Sequence, residues 1–179
     1  EEALELVSEY TKNKNLIKHM LAVEVAMVAY SEKLGDDTEK FSLCGILHDF
    51  DYEKMGDEHP SKWGQDLLRE KGVDEEIINA IAVHGERDKP EMRETKLAKT
   101  LFAVDELTGF IVACSLVRPD GIESLDVDSI KKKMKKKDFA KSISREDIIN
   151  GAEELGVTPE EHIETVLDAM KGIREELEL

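Results

Sequence analysis

The stretch Phe41-Ser42-Leu43-Cys44-Gly45-Ile46-Leu47-His48-Asp49-Phe50-Asp51-Tyr52 decides how the rest of the chain is read. An apolar run ends abruptly in an adjacent imidazole and carboxylate, then gives way to a polar loop. Leu43, Ile46 and Leu47 recur at the spacing of one helix face, so His48 and Asp49 are expected at the carboxyl-terminal end of a buried helix, at the edge of a core. An imidazole beside a carboxylate there is either a local hydrogen-bonded pair or part of a metal site. One His-Asp dipeptide does not decide between them; the decision rests on which other ligands a helical fold brings alongside.

Working outward, helical periodicity and caps recur, while sustained alternation of apolar and polar residues does not. Asp37 or Thr38 caps the helix that carries the opening stretch. Before it, a short amphipathic helix covers about Ala3 to Tyr10, and Asn15 reads as the N-cap of a helix from roughly Leu16 to Lys33, closed by Gly35. Only Glu24 interrupts the apolar sequence between Met20 and Tyr30, which makes that helix central. After the loop, His59-Pro60 reads as a helix start, with proline in the first turn where its missing N–H costs nothing. That helix stops at Gly72; Asp74 caps the next, which ends at His84-Gly85. A long helix from about Thr95 to Val117 follows, and Pro119-Asp120-Gly121 turns the chain.

The last third is more polar. Ser144 opens one helix, and Thr158-Pro159-Glu160-Glu161 is a capping box that opens another. Ile163, Val166, Leu167, Met170, Ile173 and Leu177 give this last helix one apolar stripe. The expected fold is all-α: a single-domain bundle over residues 1–179 of about eight or nine helices, with 118–179 a helical extension on the preceding core.

A length of 179 residues fits one domain able to bury a real core. A net charge of -16 argues against general binding to nucleic acid or an anionic membrane, both of which repel it. Cys44 and Cys114 both stand in apolar helical context and read as buried thiols rather than a disulfide framework. No apolar run reaches the roughly 18 residues of a membrane span, and no signal peptide is evident. The chain opens on Glu1 rather than methionine, which leaves room for a short leader ahead of it. A cytoplasmic location is the expectation, and oligomeric state is left open.

The other histidines then matter. His19 has Leu16, Ala22, Val23 and Ala26 at helical neighbour spacings, and His84 shares a face with Ile77, Ala80 and Ile81 in the last turn of its helix. His59 precedes Trp63 by one turn. Asp105 is surrounded by Leu101, Phe102, Thr108, Gly109 and Val112 in a helix apolar nearly all round, where an ionised carboxylate is costly unless paired or metal-bound. Glu106 has similar surroundings, and periodicity does not choose between the two. Taken singly, each of these residues reads as a core or surface group with a hydrogen-bond partner. The ordered set His19, His48-Asp49, His59, His84 and Asp105 is what is unusual. His162, between Glu161 and Ile163, has no such company and reads as solvated.

This order resembles the HD-domain superfamily of metal-dependent phosphohydrolases over roughly Leu16 to Ala113, with an HD-type metal-binding core at 15–117. The resemblance implies that His19, His48, Asp49 and Asp105 hold one divalent metal, that Asp49 bridges to a second held by His59 and His84, and that Asp105 rather than Glu106 is the ligand. The sequence departs from the His-Asp-Ile-Gly subgroup, with Phe50 and Asp51 after the pair, and the segment from His48 to His59 is short.

Mixed imidazole and carboxylate ligands suit Fe, Mn, Co, Ni or Zn better than calcium. Two divalent ions facing two carboxylates leave a local charge of about +2, which draws a phosphate into an acidic protein. The expected activity is hydrolysis of a small phosphoester, a nucleotide or other phosphomonoester, by attack of a metal-bound hydroxide, with one or two transition-metal ions and no covalent protein intermediate. Asp51 is a further catalytic candidate, for orienting water or protonating the leaving group, beside its reading as a loop or cap residue. Lys54, Arg87 and Arg118 are candidates for substrate binding by position alone. The run Lys131 to Lys137 reads as a solvated helix face rather than a phosphate entrance. Two alternatives share the ligand set: a mixed-valent di-iron oxygenase and a non-catalytic ligand-binding domain.

Overall fold

A computed structural model describes residues 2–179. Among these the chain is all-α, with nine α-helices of eight residues or more and two single-turn ones. They are α1 (Glu2–Tyr10), α2 (Lys14–Leu34), α3 (Thr38–Leu47), the single turn α4 (Tyr52–Met55), α5 (Lys62–Glu70) and α6 (Glu75–Val83). α7 (Lys96–Leu116), α8 (Val127–Met134), α9 (Arg145–Leu155), α10 (Pro159–Gly172) and the single turn α11 (Arg174–Leu177) complete the chain. Among the described residues no helix is long and apolar enough to cross a membrane.

The two long helices organise the bundle. α7 packs on α2, α6, α9 and α10, while α2 also carries α3. α3 approaches α2 so closely that a Cβ on Gly45 would lie 2.6 Å from the Glu24 backbone, so glycine is required there. One continuous apolar core runs from Val7 through Leu101, Leu107 and Phe110 to Met170 and Leu177. Cys44 and Cys114 are both free and buried within it.

Polar side chains set the helix starts. Asp37, Ser61, Asp74, Thr95, Asp126, Ser144 and Thr158 each accept a backbone N–H of the first turn, satisfying donors that otherwise have no intrahelical partner. α2 starts earlier than expected: Asn13, not Asn15, is its cap, and its side chain accepts from the Asn15 N–H. Glu53 of α4 also accepts the N–H groups of Lys12 and Asn13, both at 2.8 Å. Pro60 does not open α5; His59 is extended and Ser61 is the cap, so the first turn begins two residues after the proline.

The terminal stripe is not one helix either. Ile173 leaves helical geometry at φ -122° and ψ 29°, just after Gly172, and α11 is a separate turn that buries Leu177. The helices after residue 118 pack directly on the earlier ones. α9 meets α7 through Gly151, where a Cβ would stand 2.5 Å from the Ala103 Cα. α10 meets α2 and α7 around His162, which is fully buried rather than solvated. Its Nε2 donates to the Ala103 carbonyl at 2.8 Å, and its Nδ1 accepts from the Tyr30 hydroxyl at 2.6 Å. The isoleucine beside it gave no hint of this, because a capped first turn usually faces water and here it docks on two other helices. The lysine run begins in the last turn of α8, where Lys131 pairs with Glu160 and Lys133 lies 4.5 Å from the Phe139 ring, and continues past the helix end through Lys137.

Candidate metal centre

Four helices converge on one end of α3. α3 ends at His48 and α6 ends at His84, each the C-cap of its helix. Both helices therefore aim their carbonyl ends, with roughly half a negative charge each, toward the same place, a setting that favours cations. His19 projects from the second turn of α2 and Asp105 from the middle of α7.

The side chains are held by their outer atoms. His48 Nδ1 donates to the Gly45 carbonyl at 2.8 Å, and His84 Nδ1 donates to the Ile81 carbonyl at 2.6 Å. A carbonyl only accepts, so each neutral ring carries its proton on Nδ1 and presents a bare Nε2 inward. His59 Nδ1 donates to Asp51 Oδ1 at 2.5 Å, while the Ser61 N–H and hydroxyl both donate to Asp51 Oδ2. Fixing one imidazole nitrogen to orient the other is the usual arrangement behind metal-ligating histidines.

The inward atoms form two groups of three, within which all ligand atoms lie within 4.8 Å of one another: His19, His48 and Asp105, and Asp49, His59 and His84. In the first, His19 Nε2 stands 3.0 Å from Asp105 Oδ1 and 3.3 Å from His48 Nε2. In the second, His59 Nε2 stands 2.9 Å from Asp49 Oδ1 and 3.4 Å from His84 Nε2. Two nitrogens held about 2.1 Å from a shared ion stand roughly 3.0–3.4 Å apart in octahedral or tetrahedral geometry. The donor set and its spacing thus fit divalent metal ions.

Asp49 joins the groups. Its Oδ1 faces His59 and His84, the latter at 3.6 Å, while its Oδ2 faces His48 at 3.5 Å and His19 at 3.7 Å. Burial opposes the ionisation of Asp49, yet the surrounding imidazoles, His48 foremost, hold its pKa well below the usual carboxylate range. Asp105 is likewise held low by His19 and His48 against burial. Burial also opposes a charge on His59, but Asp49 and Asp51 outweigh it and raise its pKa to about 9. Asp49 and Asp105 are thereby favoured in their ionised forms.

His59 reaches the cluster despite the short segment from His48, because the chain turns back through α4 and a 3-10 turn at Gly56–Glu58. Asp51 secures it there. Asp51 is 2% exposed, and both its oxygens are engaged, Oδ1 by His59 and Oδ2 by Ser61, so its carboxylate stands behind His59. Gly64 permits this, since a Cβ there would lie 2.4 Å from Asp51 Oδ2. Sequence reasoning missed Ser61 and Gly64; the cap position of Ser61, straight after His59-Pro60, was the available signal.

Glu106 turns away from the cluster, accepting from Arg87 at 2.6 Å and from the Ser144 N–H at 3.1 Å. Arg87, offered as a substrate cation, is thereby paired with Glu106 and, at 3.1 Å, with Asp147. Lys54 lies 3.6 Å from the Trp63 ring centroid. Arg118 donates to Ser124 in the loop after α7, past the end of a helix that runs roughly 17 Å from Asp105 to Leu116. The structure does not bring Arg118 to the ligands. A cleft of about 370 Å³ opens beside His19. A larger one, about 580 Å³, lies between α1, α3 and the turn after α5 and shares none of the ligand residues.

The pattern of the HD domain family matches residues 16–109, more than half of the chain. The chain belongs to this family of metal-dependent phosphohydrolases, and the cluster just described contains His/Asp groups that could hold a metal. Among curated proteins it is similar to Ribonuclease Y of Nitratidesulfovibrio vulgaris (strain DP4), 32% identical over 101 residues, which cover 54% of this chain and 18% of that protein. Ribonuclease Y of Rhodopirellula baltica is 34% identical over 113 residues, 60% of this chain and 19% of that protein. Ribonuclease Y of Thermosipho melanesiensis is 32% identical over 136 residues, 72% of this chain and 24% of that protein. The chain thus spans a quarter or less of the length of these relatives. No solved structure gives a significant match.

Proposed function

We propose that this chain is a binuclear metal-dependent phosphohydrolase that acts on small phosphoesters. The observation that carries the reading is the Asp49 carboxylate, whose two oxygens face two separate imidazole pairs. His19, His48, Asp105 and Asp49 Oδ2 would hold one ion, and His59, His84 and Asp49 Oδ1 the other. Divalent iron, manganese, cobalt, nickel or zinc bound there supplies Lewis acidity, a lowered pKa for coordinated water, and charge to hold a phosphoryl group.

The chain's own residues supply orientation. The Gly45 and Ile81 carbonyls and the Asp51 carboxylate lock the three imidazoles, so little rearrangement is needed as a phosphate arrives. A thiol nucleophile has no place in this reading: Cys44 is fully buried, and burial pushes its thiol up. Charge supports small esters as substrates, because a chain of net charge -16 repels a polyanion away from the immediate field of the metals.

A second reading, cleavage of RNA phosphodiesters, is favoured by the similarity to proteins named Ribonuclease Y. One experiment separates the two. Protein purified without a nickel column should carry about two transition-metal ions per chain, hydrolyse an aryl phosphate monoester, and lose both properties on chelation. Full hydrolysis by chelated protein would sink the metal mechanism, while turnover of an RNA oligonucleotide with none of monoesters would replace the first reading by the second.

A further inference from the structure

The cleft beside His19 is absorbed by neither the ligand set nor its supports. It runs between α2 and the second half of α7, and its inner end is the ligand His19 itself. Gly109, Val112 and Leu116 line it along α7, over about 10 Å at 1.5 Å per residue. Leu177 of α11 lines it from the opposite side, so the break at Ile173 that separates α11 from α10 places a wall of this cleft. Leu116 is 70% exposed at the outer end. Gly109 leaves space: a Cβ there would meet only Ile143 Cδ1, at 3.6 Å. The cation in the lining, Lys18, is already paired with Glu178 across the rim.

We propose that this cleft seats the leaving group of the substrate, and that it selects phosphomonoesters of slender, uncharged, mostly apolar alcohols. This rests on the phosphohydrolase reading given above. His19 belongs to one of the two ligand groups and also lines the cleft, so a phosphate ester bound at the cluster would have the cleft beside it for its alcohol part. Its volume of about 370 Å³ lies at the small end for ligand sites. Its walls offer apolar surface, and its lysine is neutralised, so a leaving group that carries a second phosphate gains nothing there. Gly109, Val112, Leu116 and Leu177 are then the specificity-determining residues.

The test is calorimetric titration of the metal-loaded full chain with alkylphosphonates from ethyl to octyl, which are not hydrolysed. Kd should fall about fourfold for each added methylene until the cleft is filled. Gly109→Leu fills the cleft from within, and Leu116→Glu places a charge at its outer end; each should flatten that dependence. Leucine is a better helix former than glycine and residue 116 is exposed, so thermal melts should show both variants folded. A flat series in the unaltered chain, no binding at all, or an undiminished slope in both folded variants overturns the proposal. Hydrolysis of aryl phosphates with a flat phosphonate series removes the cleft and leaves the hydrolase standing; graded binding with no ester hydrolysed does the reverse.

Discussion

His48 and His162 are both fully buried in one helix bundle, yet they solve the problem of a buried imidazole in opposite ways. His162 has a complementary partner on each nitrogen: a hydroxyl that donates and a carbonyl that accepts. Burial holds it neutral, with a pKa lowered to about 4. His48 has a carbonyl on one nitrogen only, and its other nitrogen faces His19 and the carboxylates of Asp49 and Asp105. Burial opposes its charge as well, but those carboxylates outweigh it and raise its pKa. A buried polar network that is complete within the protein is structural. One in which imidazole nitrogens and carboxylate oxygens converge, backed by fixed outer atoms, is a group of side chains that could hold a metal.

The comparison breaks most visibly at Asp49. Replacing it with alanine should remove bound metal and lower hydrolysis by about a thousandfold or more, because it would serve both groups of ligands. Metal analysis and an aryl phosphate assay check this; an Asp49→Ala protein with full metal content would refute the bridging role.

His162 should instead govern stability. Unfolded, it takes its proton near the ordinary value of 6.5; folded, near 4. Between those values the unfolded chain binds more protons, so its contribution is fully present above pH 6.5 and is lost as the pH falls to 4. The change amounts to about 3 kcal/mol. Urea unfolding across this window should show that slope in the wild type and lose it in His162→Gln, with metal content unchanged in both. Equal slopes would show that His162 is not the titrating group.

Asp51 sharpens the contrast from the other side, as a buried carboxylate whose oxygens are taken by His59 and Ser61. Asp51→Asn should weaken metal binding at His59 and His84 by about 10- to 100-fold while the chain stays folded. A loss of stability with undiminished metal affinity would make it a structural residue like His162. The smallest effect is expected at Lys54. Its ammonium over the Trp63 ring contributes about 0.5–1 kcal/mol, so Lys54→Ala should lower the melting temperature slightly and leave KM for phosphate esters unchanged. A several-fold rise in KM would return Lys54 to the substrate.

Much of the fold was legible because helix starts are written locally. Asp74, Ser144 and Thr158 cap the helices they were expected to open, Asp37 is the cap of the two offered with Thr38, and Thr95 caps the long helix expected to begin near it, since a short polar side chain and the N–H groups it satisfies are neighbours in sequence. Where a distant group intervened, local reading slipped. Glu53 takes the N–H groups ahead of α2, whose cap is Asn13 rather than Asn15, and Asp51 draws the Ser61 N–H and hydroxyl, with α5 starting only after the proline.

The sequence by itself determined the kind of molecule: an all-α bundle, acidic, with four histidines and two aspartates at helix ends or inward faces, in an order that the HD domain family shares. Only the tertiary structure decided that His162 is a buried strut, that Asp51 holds His59 in place, that Arg118 stands apart from the ligands, and that α11 turns back to wall a cleft. The physical reason is range. Caps and periodicity act within about one turn of helix, whereas the partners that fix a buried imidazole or close a cleft come from helices far apart in sequence, as Ala103 does for His162 across 59 residues.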